Sequence, residues 1–393
     1  MLRLFKEPYI FVKENKLISV LILISFLSSL RTLFLPLLGD EVTYSIIAKN
    51  LMLYGEYYYY GQPTTITPTI PFLIAFFYTK FDPEIGFNIA RFSNILFIIV
   101  GLRFLYLFLK NTVFPKQIVV IIMLLTIVNS NFVIWSLMLY PESILFCFLW
   151  IFIYCLSKKD LNARDIFFLF GSLCILIITR YVFAVLILLA VIKIFPYFKI
   201  LIKKKDFLTL GKISAYIFIC TIPLIFWFKY VYNLEREIET GFSYFERFKN
   251  KDVFYNIKAG LGLIKHEEVN NLNGIPAFIT LFLPITGYRN WILSLILIGV
   301  IIIGYISKIK FINARTLFIV MVLIMGGLIL AGTGFSRYWL GLLPGFLLGF
   351  YFFFKSLKFK DSHFILLSKI VAVVYVINEL RLDVKILNNY FNF

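Results

Sequence analysis

The sequence of 393 residues is 61% hydrophobic and only 15% charged, with a mean hydropathy of +0.90. Soluble globular chains are about 45–50% apolar and about 25% charged, so this composition excludes a soluble protein and indicates a polytopic membrane protein. The formal net charge of +18 is the one property shared with nucleic-acid-binding proteins. The basic residues are concentrated in particular loops between the predicted spans, so the charge has another explanation.

Apolar runs of about 15–25 residues between charged residues predict transmembrane helices. We predict an all-α, polytopic transmembrane helical bundle of about eleven spans, placed at 17–37, 86–109, 117–134, 143–156, 165–178, 182–195, 209–229, 291–307, 316–332, 338–354 and 364–378. Two shorter stretches broken by proline, 68–79 and 275–288, are predicted half-helices on one side of the membrane. The chain 1–393 is interpreted as a single integral-membrane domain, with a first outer loop at 38–85 and a second outer loop region at 230–290.

The basic residues are divided unevenly between the two sets of loops. With the N-terminus inside, the inner loops carry a net charge of +15 and the outer loops carry −1. Because inner loops of membrane proteins are rich in Lys and Arg, this predicts a cytoplasmic N-terminus and a C-terminus outside, in the plasma membrane of a prokaryote. The charge is therefore a topology signal, and no nucleic acid is predicted as a partner.

The cysteine and histidine residues exclude several kinds of catalytic site. His266 and His363 are predicted on opposite sides of the membrane, which excludes a zinc site built on histidine and a Ser-His-Asp triad. No glycine-rich phosphate loop is present either. The cysteines all fall within apolar spans and are predicted to be buried thiols: Cys147, Cys155, Cys174 and Cys220.

The stretch DEVTYSIIAKNLMLYG follows the first predicted span directly. Asp40 suits a helix N-cap, Glu41 suits the first turn and Gly55 suits the C-cap, so a helix lying on the membrane surface is predicted. Tyr57–Tyr60 then fit the aromatic belt of a membrane interface. On this interpretation Asp40 only caps a helix and the tyrosines only anchor it.

Further ionisable residues are predicted at the outer ends of other spans, mostly beside a Tyr or a Pro. Each one alone is typical of an interfacial anchor, because long charged side chains reach the membrane surface. Several at one level indicate a polar cavity, since charges at membrane depth are costly and pair or face water. The set consists of Asp40, Glu41, Arg91, Glu142, Arg180 and Arg337.

The first 110 residues resemble the GT-C class of polytopic glycosyltransferases, the superfamily of protein O-mannosyltransferases and the lipid A aminoarabinose transferase. The residues that carry the resemblance are Gly39-Asp40-Glu41, Tyr44, Ala48, Asn50-Leu51 and Gly55, then Pro68 and Pro71, and Ala90-Arg91-Phe92. Later segments, TRY at 179–181 and SRYWLGLLP at 336–344, are similar to the RY…P segment of the family. The chain departs from the family in having TPTIP for Pro-Pro-Leu and in lacking a large soluble domain.

The resemblance implies an enzyme of the hexosyltransferase type that moves a sugar from a polyprenyl or dolichyl phosphate to an acceptor hydroxyl on the outer face, with inversion. Asp40 would be the catalytic base, and Glu41 would help to position the acceptor or the sugar. Phosphate recognition calls for arginine, and the candidates are Arg91, Arg180 and Arg337, in no order. Further substrate-binding candidates are Glu142, Tyr44 and Tyr338.

The resemblance names no certain cofactor and leaves the metal requirement open. Asp40 and Glu142 are the carboxylates that would hold a divalent cation. The alternative function is a polytopic transporter or lipid flippase, which would show inverted repeats and charged groups near the membrane midplane. No repeat is evident, and the carboxylates lie at one boundary. The sugar, the acceptor and the carrier lipid stay open.

Overall fold

The computed structural model describes residues 15–112, 114–237, 253–266, 271–284, 287–332 and 336–391. Within them the chain is helical almost throughout, with two short hairpins. The helices are α1 Lys16–Ser29, α2 Asp40–Tyr54, α3 Thr69–Tyr78, α4 Pro83–Lys110, α5 Lys116–Val128, α6 Ser130–Trp135, α7 Glu142–Ser157, α8 Ala163–Thr179, α9 Ile187–Lys203, α10 Phe207–Glu237, α11 Val253–Gly260, α12 Trp291–Ser307, α13 Ile312–Leu330, α14 Leu343–Ser356 and α15 Asp361–Phe391. The hairpin strands are β1 Tyr58–Tyr59, β2 Gln62–Pro63, β3 Lys265–His266 and β4 Asn271–Leu272.

Each of the predicted spans contains a helix, so the all-α membrane architecture is confirmed. In the part of the chain that the structure describes, seven helices are long and apolar enough to cross a membrane, and α3, α5, α7 and α12 are shorter apolar helices. Both predicted half-helices are present, as α3 and as a 3-10 turn at Ile275–Leu281. Short apolar helices fit a bundle in which several spans begin below the membrane surface.

In the part of the chain that the structure describes, four 3-10 segments adjoin the helices. They are Leu30–Phe34 after α1, Tyr181–Leu186 before α9, Ile275–Leu281 and Ser336–Leu342 before α14. Tighter turns of this kind shift the following side chains relative to an α-helix. The predicted spans 17–37, 182–195 and 338–354 therefore contain a change of helix type that the apolar pattern does not reveal.

The first outer loop folds into a compact layer over the bundle. Helix α2 packs on α3, and the β1–β2 hairpin pairs Tyr58 with Pro63. Ile47, Ala48, Ile70 and Ile74 are almost fully buried between these elements. The predicted surface helix is therefore a packed element, with its apolar side turned onto the protein.

Tyr57, the first of the tyrosines after α2, belongs to an aromatic cluster. The cluster consists of Tyr57, Tyr181, Trp227 and Tyr230. The Tyr57 ring lies 5.5 Å from Trp227 and 6.2 Å from Tyr230, edge-on to both. Trp227 donates its Nε1 hydrogen to the Tyr181 hydroxyl at 2.8 Å, and that hydroxyl donates to the Thr65 carbonyl at 3.2 Å. The cluster joins the first outer loop to the outer end of α10, so Tyr57 does more than anchor the loop at an interface.

Helices α12 and α14 approach so closely that only glycine fits at the contact. A Cβ atom on Gly304 of α12 would lie 2.1 Å from the Gly349 carbonyl oxygen of α14. Small residues at helix contacts let the backbones of membrane helices come together, which increases van der Waals packing. The contact fixes α14, whose N-terminal end leads back to Arg337.

A buried charge cluster joins the first helix of the bundle to the last. Arg31 forms a salt bridge with Glu379 and donates to Asp383 at 2.7 Å, while the Ser28 hydroxyl donates to Asp383 at 2.6 Å. The side chain of Glu379 is fully buried. The predicted span 364–378 ends just before this glutamate, whereas α15 continues to Phe391, and Arg31 pairs with two carboxylates of that continuation.

The second outer loop region is described in part. It contains the short helix α11 and the β3–β4 hairpin, in which Lys265 pairs with Leu272. The predicted second outer loop region, 230–290, falls in part on 238–252, 267–270 and 285–286, which lie outside the described residues.

Candidate active site

Four charged side chains from distant parts of the sequence meet at one end of the bundle. Asp40 begins α2, Glu142 begins α7, Arg180 follows α8, and Arg337 lies in the 3-10 turn before α14. Arg337 donates to Asp40 at 2.6 Å, and its Nε lies 3.9 Å from Glu142. Arg180 donates to the same Glu142 carboxylate at 3.2 Å. The four groups form a continuous chain of alternating charge, as the sequence predicts for this set.

Asp40 occupies the open end of this chain of charges. Its side chain is 47% exposed, whereas the Arg337 and Glu142 side chains are 13% and 1% exposed. The prediction that Asp40 caps its helix is wrong, because Gly39 is the N-cap and no side chain caps the helix there. The carboxylate is therefore free of any capping role and is directed at Arg337 and solvent.

Gly39 has a backbone conformation and a neighbour that require glycine. Its φ of +53° is a conformation that other residues rarely adopt, and a Cβ atom there would lie 2.7 Å from the Tyr140 hydroxyl oxygen. That hydroxyl donates to the Leu38 carbonyl at 2.7 Å. Gly39 and Tyr140 together fix the direction in which Asp40 leaves the turn.

Aromatic rings cover the two guanidinium groups. Arg337 lies over Tyr140 at 4.4 Å and over Trp135 at 5.5 Å, and Arg180 lies over Tyr338 at 3.7 Å. Such cation–π contacts hold the planar groups in place while leaving their edges for hydrogen bonds. Burial raises the pKa of the Tyr140 hydroxyl to about 12, so this ring stays a neutral neighbour of the arginine.

Trp135 and Tyr140 are site residues that the sequence analysis missed. They flank SLML in the segment between α6 and α7, which the predicted spans 117–134 and 143–156 leave as a short outer loop. The signal present in the sequence is an aromatic residue on either side of a short apolar run just before Pro141 and Glu142. Tyr338, in contrast, is a predicted substrate-binding residue, and its ring lies in the site.

Glu41 and Arg91 do not face the open site. Their side chains are 0% and 1% exposed, and Arg91 donates to Glu41 through Nη2 at 2.7 Å and Nε at 3.0 Å. The prediction that Arg91 faces an outward polar cavity is wrong for this reason. Glu41 also accepts from the Leu139 amide at 2.8 Å, and Arg91 donates to the Thr32 and Leu35 carbonyls at 2.8 Å.

The Glu41–Arg91 pair therefore connects three backbone segments beneath Asp40: the chain at Thr32–Leu35, the start of α2 and the segment at Leu139. All its strong hydrogen bonds go to protein groups. A buried ion pair of this kind holds the segments that it connects in place, because removal of one partner would leave the other charge buried and uncompensated. We infer that these two residues position the site.

Tyr44, one turn of helix after Asp40, lies below the charged groups and is 8% exposed. The pKa of its hydroxyl is raised, first because the group is buried and then because the Asp40 carboxylate is near. The charges of Arg337, Arg180 and Glu142 also act on it. Its position under the site agrees with the predicted set, although its substrate-binding role stays a prediction.

The arrangement is a poor match for a divalent cation. In the described residues no group of three or more His, Cys, Asp or Glu side chains is close enough to hold a metal ion. The Arg337 guanidinium lies between Asp40 and Glu142, at 2.6 Å and 3.9 Å, where such a cation would have to bind. Its positive charge would repel the cation.

The fold has counterparts among solved structures, and they agree with the resemblance that the first 110 residues carry. It is similar to the crystal structure of ArnT from Cupriavidus metallidurans bound to undecaprenyl phosphate, with a TM-score of 0.55 and 14% identity over 86% of this chain. The apo structure of the same protein gives a TM-score of 0.53 and 14% identity over 88% of this chain.

The chain spans 60% of the length of either ArnT structure. No family model matches the sequence, and no curated protein matches it. At 14% identity the similarity is one of fold, and it does not assign a reaction to this chain.

Proposed function

We propose that this chain is a membrane glycosyltransferase that moves a sugar from a polyprenyl-phosphate donor to an acceptor hydroxyl on the outer face, with inversion. The observation that carries the proposal is the half-exposed Asp40 carboxylate bonded to Arg337 at 2.6 Å. It combines a proton acceptor and a phosphate ligand at one end of a membrane bundle. The similarity in fold to an ArnT structure bound to undecaprenyl phosphate supports this donor class.

In the proposed reaction, the acceptor oxygen attacks the anomeric carbon while the bond from that carbon to the phosphate oxygen breaks. Asp40 takes the proton of the acceptor hydroxyl, and the polyprenyl phosphate leaves with the electron pair of the broken bond. Phosphate is a good leaving group, so no strong general acid is required. The carboxylate on the opposite face of the ring also stabilises the positive charge that develops on the sugar.

Arg337 has two roles in this proposal. In the absence of donor it bonds Asp40 and thereby occupies a lone pair that the base would use. A donor phosphate competes for the same guanidinium, because arginine binds phosphate through two parallel N–H bonds. Donor binding would then release Asp40, so we expect the donor to bind before the acceptor is activated.

The test is transfer of labelled sugar from a panel of polyprenyl-phosphate sugars in vesicles, comparing the wild type with Asp40→Asn. We expect the variant to lose roughly 10²–10⁴-fold in rate, because asparagine cannot accept the proton. Its fold should be retained, since the asparagine oxygen can still accept from Arg337. Glu56→Gln, at an exposed acid of the same loop, is the matched control and should retain full activity.

Glu41→Gln separates chemistry from structure in the same assay. It leaves the buried Arg91 without its charge partner, so we expect a loss of stability of up to about 3–5 kcal/mol. Any loss of transfer should follow the loss of folded protein, measured by thermal unfolding in detergent. Full activity of Asp40→Asn, or a larger specific loss in Glu41→Gln, would contradict the assignment of Asp40 as the base.

A further inference from the structure

One part of the charged site has buried hydrogen-bonding atoms that have no partner among the described residues. Glu142 uses Oε1 for its contacts with Arg180 and Arg337, whereas its Oε2 is buried and makes no hydrogen bond. Nη1 of Arg180 is likewise buried without a hydrogen bond. Leaving a buried charged group unsatisfied is costly, so native structures rarely keep such atoms except where a ligand or water completes them.

A small cavity lies against Glu142, whose carboxylate is also bonded by Arg180 at 3.2 Å. Glu142, Arg337 and Tyr338 form its polar wall, and side chains such as Leu145, Phe183 and Ile324 form its apolar wall. Its volume of about 10 Å³ accommodates a single group the size of a water molecule. A ligand that reaches this cavity can place no more than one small polar group in it.

The unpartnered atoms define the chemistry of that group. A carboxylate oxygen only accepts hydrogen bonds and a guanidinium N–H only donates them, so a group that completes both unpartnered atoms would donate to Glu142 and accept from Arg180. A hydroxyl group does both. A carboxylate or phosphate would be repelled by Glu142, and an ammonium group would be repelled by Arg180 and Arg337.

The position of the cavity assigns it to the donor. Asp40, which must reach the acceptor hydroxyl, is half exposed, whereas Glu142 is buried on the other side of Arg337. Resting on the proposed function, we propose that Glu142 and Arg180 bind one hydroxyl group of the transferred sugar. The enzyme then selects neutral, hydroxylated sugars and discriminates against uronic acids and amino sugars at that position.

The test uses a short-chain polyprenyl-phosphate glucose, mannose and galactose, followed by monodeoxy, amino and uronic acid forms of the sugar transferred best. We expect removal of one particular hydroxyl to lower kcat/KM at least about 100-fold, because a site built to bind a hydroxyl rejects the analogue that lacks it. The other deoxy donors should lose less than tenfold. The amino and uronic acid forms at the sensitive position should be as poor as the deoxy form.

Glu142→Gln and Arg180→Lys determine whether this site is responsible. In either variant the penalty for the missing hydroxyl should fall below about fivefold, since the group that recognised it has changed. The exposed control variant Glu56→Gln should keep the full penalty for the missing hydroxyl. Two variants are used so that a folding failure of one, seen by thermal unfolding, does not end the test.

The outcomes separate the inference from the proposed function. Transfer from deoxy donors within about threefold of the parent, or a penalty that persists in both variants, would overturn the hydroxyl subsite alone. A penalty seen with deoxygenated acceptors instead would assign the cavity to the acceptor and overturn the donor assignment. No transfer from any donor, together with no retention of polyprenyl phosphate, would overturn the proposed function and the subsite with it.

Discussion

At the scale of single residues, the site is an arrangement of charges whose pairing depends on the tertiary structure. Asp40 and Arg337 are 297 positions apart, and Glu41 and Arg91 are 50 apart. The sequence identifies the residue types and their level in the membrane. It does not reveal that neighbouring acids have separate partners, so that Asp40 reaches an arginine at the open site while Glu41 reaches one in the interior.

Arg337 is the residue for which donor binding gives the clearest prediction. Arg337→Ala should weaken binding of the polyprenyl-phosphate donor roughly 10- to 100-fold, since hydrogen bonds to charged groups contribute about 1.5–3 kcal/mol. Arg337→Lys should restore only part of this, because lysine keeps the charge and loses the planar fork. The measurement is equilibrium binding of labelled donor to protein in detergent.

Arg381→Ala is the matched control for this measurement, because Arg381 is exposed and donates to Asn378 within its own helix. It should bind donor like the wild type. Equal donor affinity in Arg337→Ala and Arg381→Ala would remove Arg337 as the phosphate ligand. Arg180 would then be the remaining candidate of the predicted three, since Arg91 is committed to Glu41.

At the scale of elements, the helices could be predicted and the turns between them could not. Long apolar runs identify helices because an unpaired backbone cannot cross a bilayer. The 3-10 turns at Tyr181–Leu186 and Ser336–Leu342 have the same apolar composition as the helices they precede. They are nevertheless the segments that place Tyr181 and Arg337, so composition alone locates the spans but not the side chains that do the binding.

The aromatic cluster provides a prediction at this scale. Trp227→Ala removes a ring that is 8% exposed and a hydrogen bond to Tyr181. The free energy of unfolding should therefore fall by about 3–5 kcal/mol. Phe226→Ala removes a neighbouring ring that is 70% exposed toward the lipid and should cost much less. Thermal unfolding in one detergent measures both variants, and equal shifts would mean that the cluster does not hold α10 to the outer loop.

At the scale of the whole molecule, the distribution of basic residues predicts an orientation. A reporter fused after Phe393 should appear outside, and one inserted within 199–206 should appear inside, because inner loops are positive by the rule for membrane proteins. Accessibility of each reporter to a membrane-impermeant label in intact cells measures this. Both reporters on one side would mean an odd error in the number of spans between residue 206 and the C-terminus, and Arg337 could then lie on the opposite side from the prediction.

The buried contact of Arg31 with Glu379 has a consequence for the order of synthesis. The arginine enters the membrane with the first helix, and its partner is made 348 residues later. An isolated arginine in a bilayer is costly, and the cost falls only when a partner or water compensates it. The arginine at the end of the newly inserted first helix must therefore be shielded by the insertion machinery or by local water until the last helix is inserted. A chain that stops before Glu379 would keep its first helix in that unfinished state.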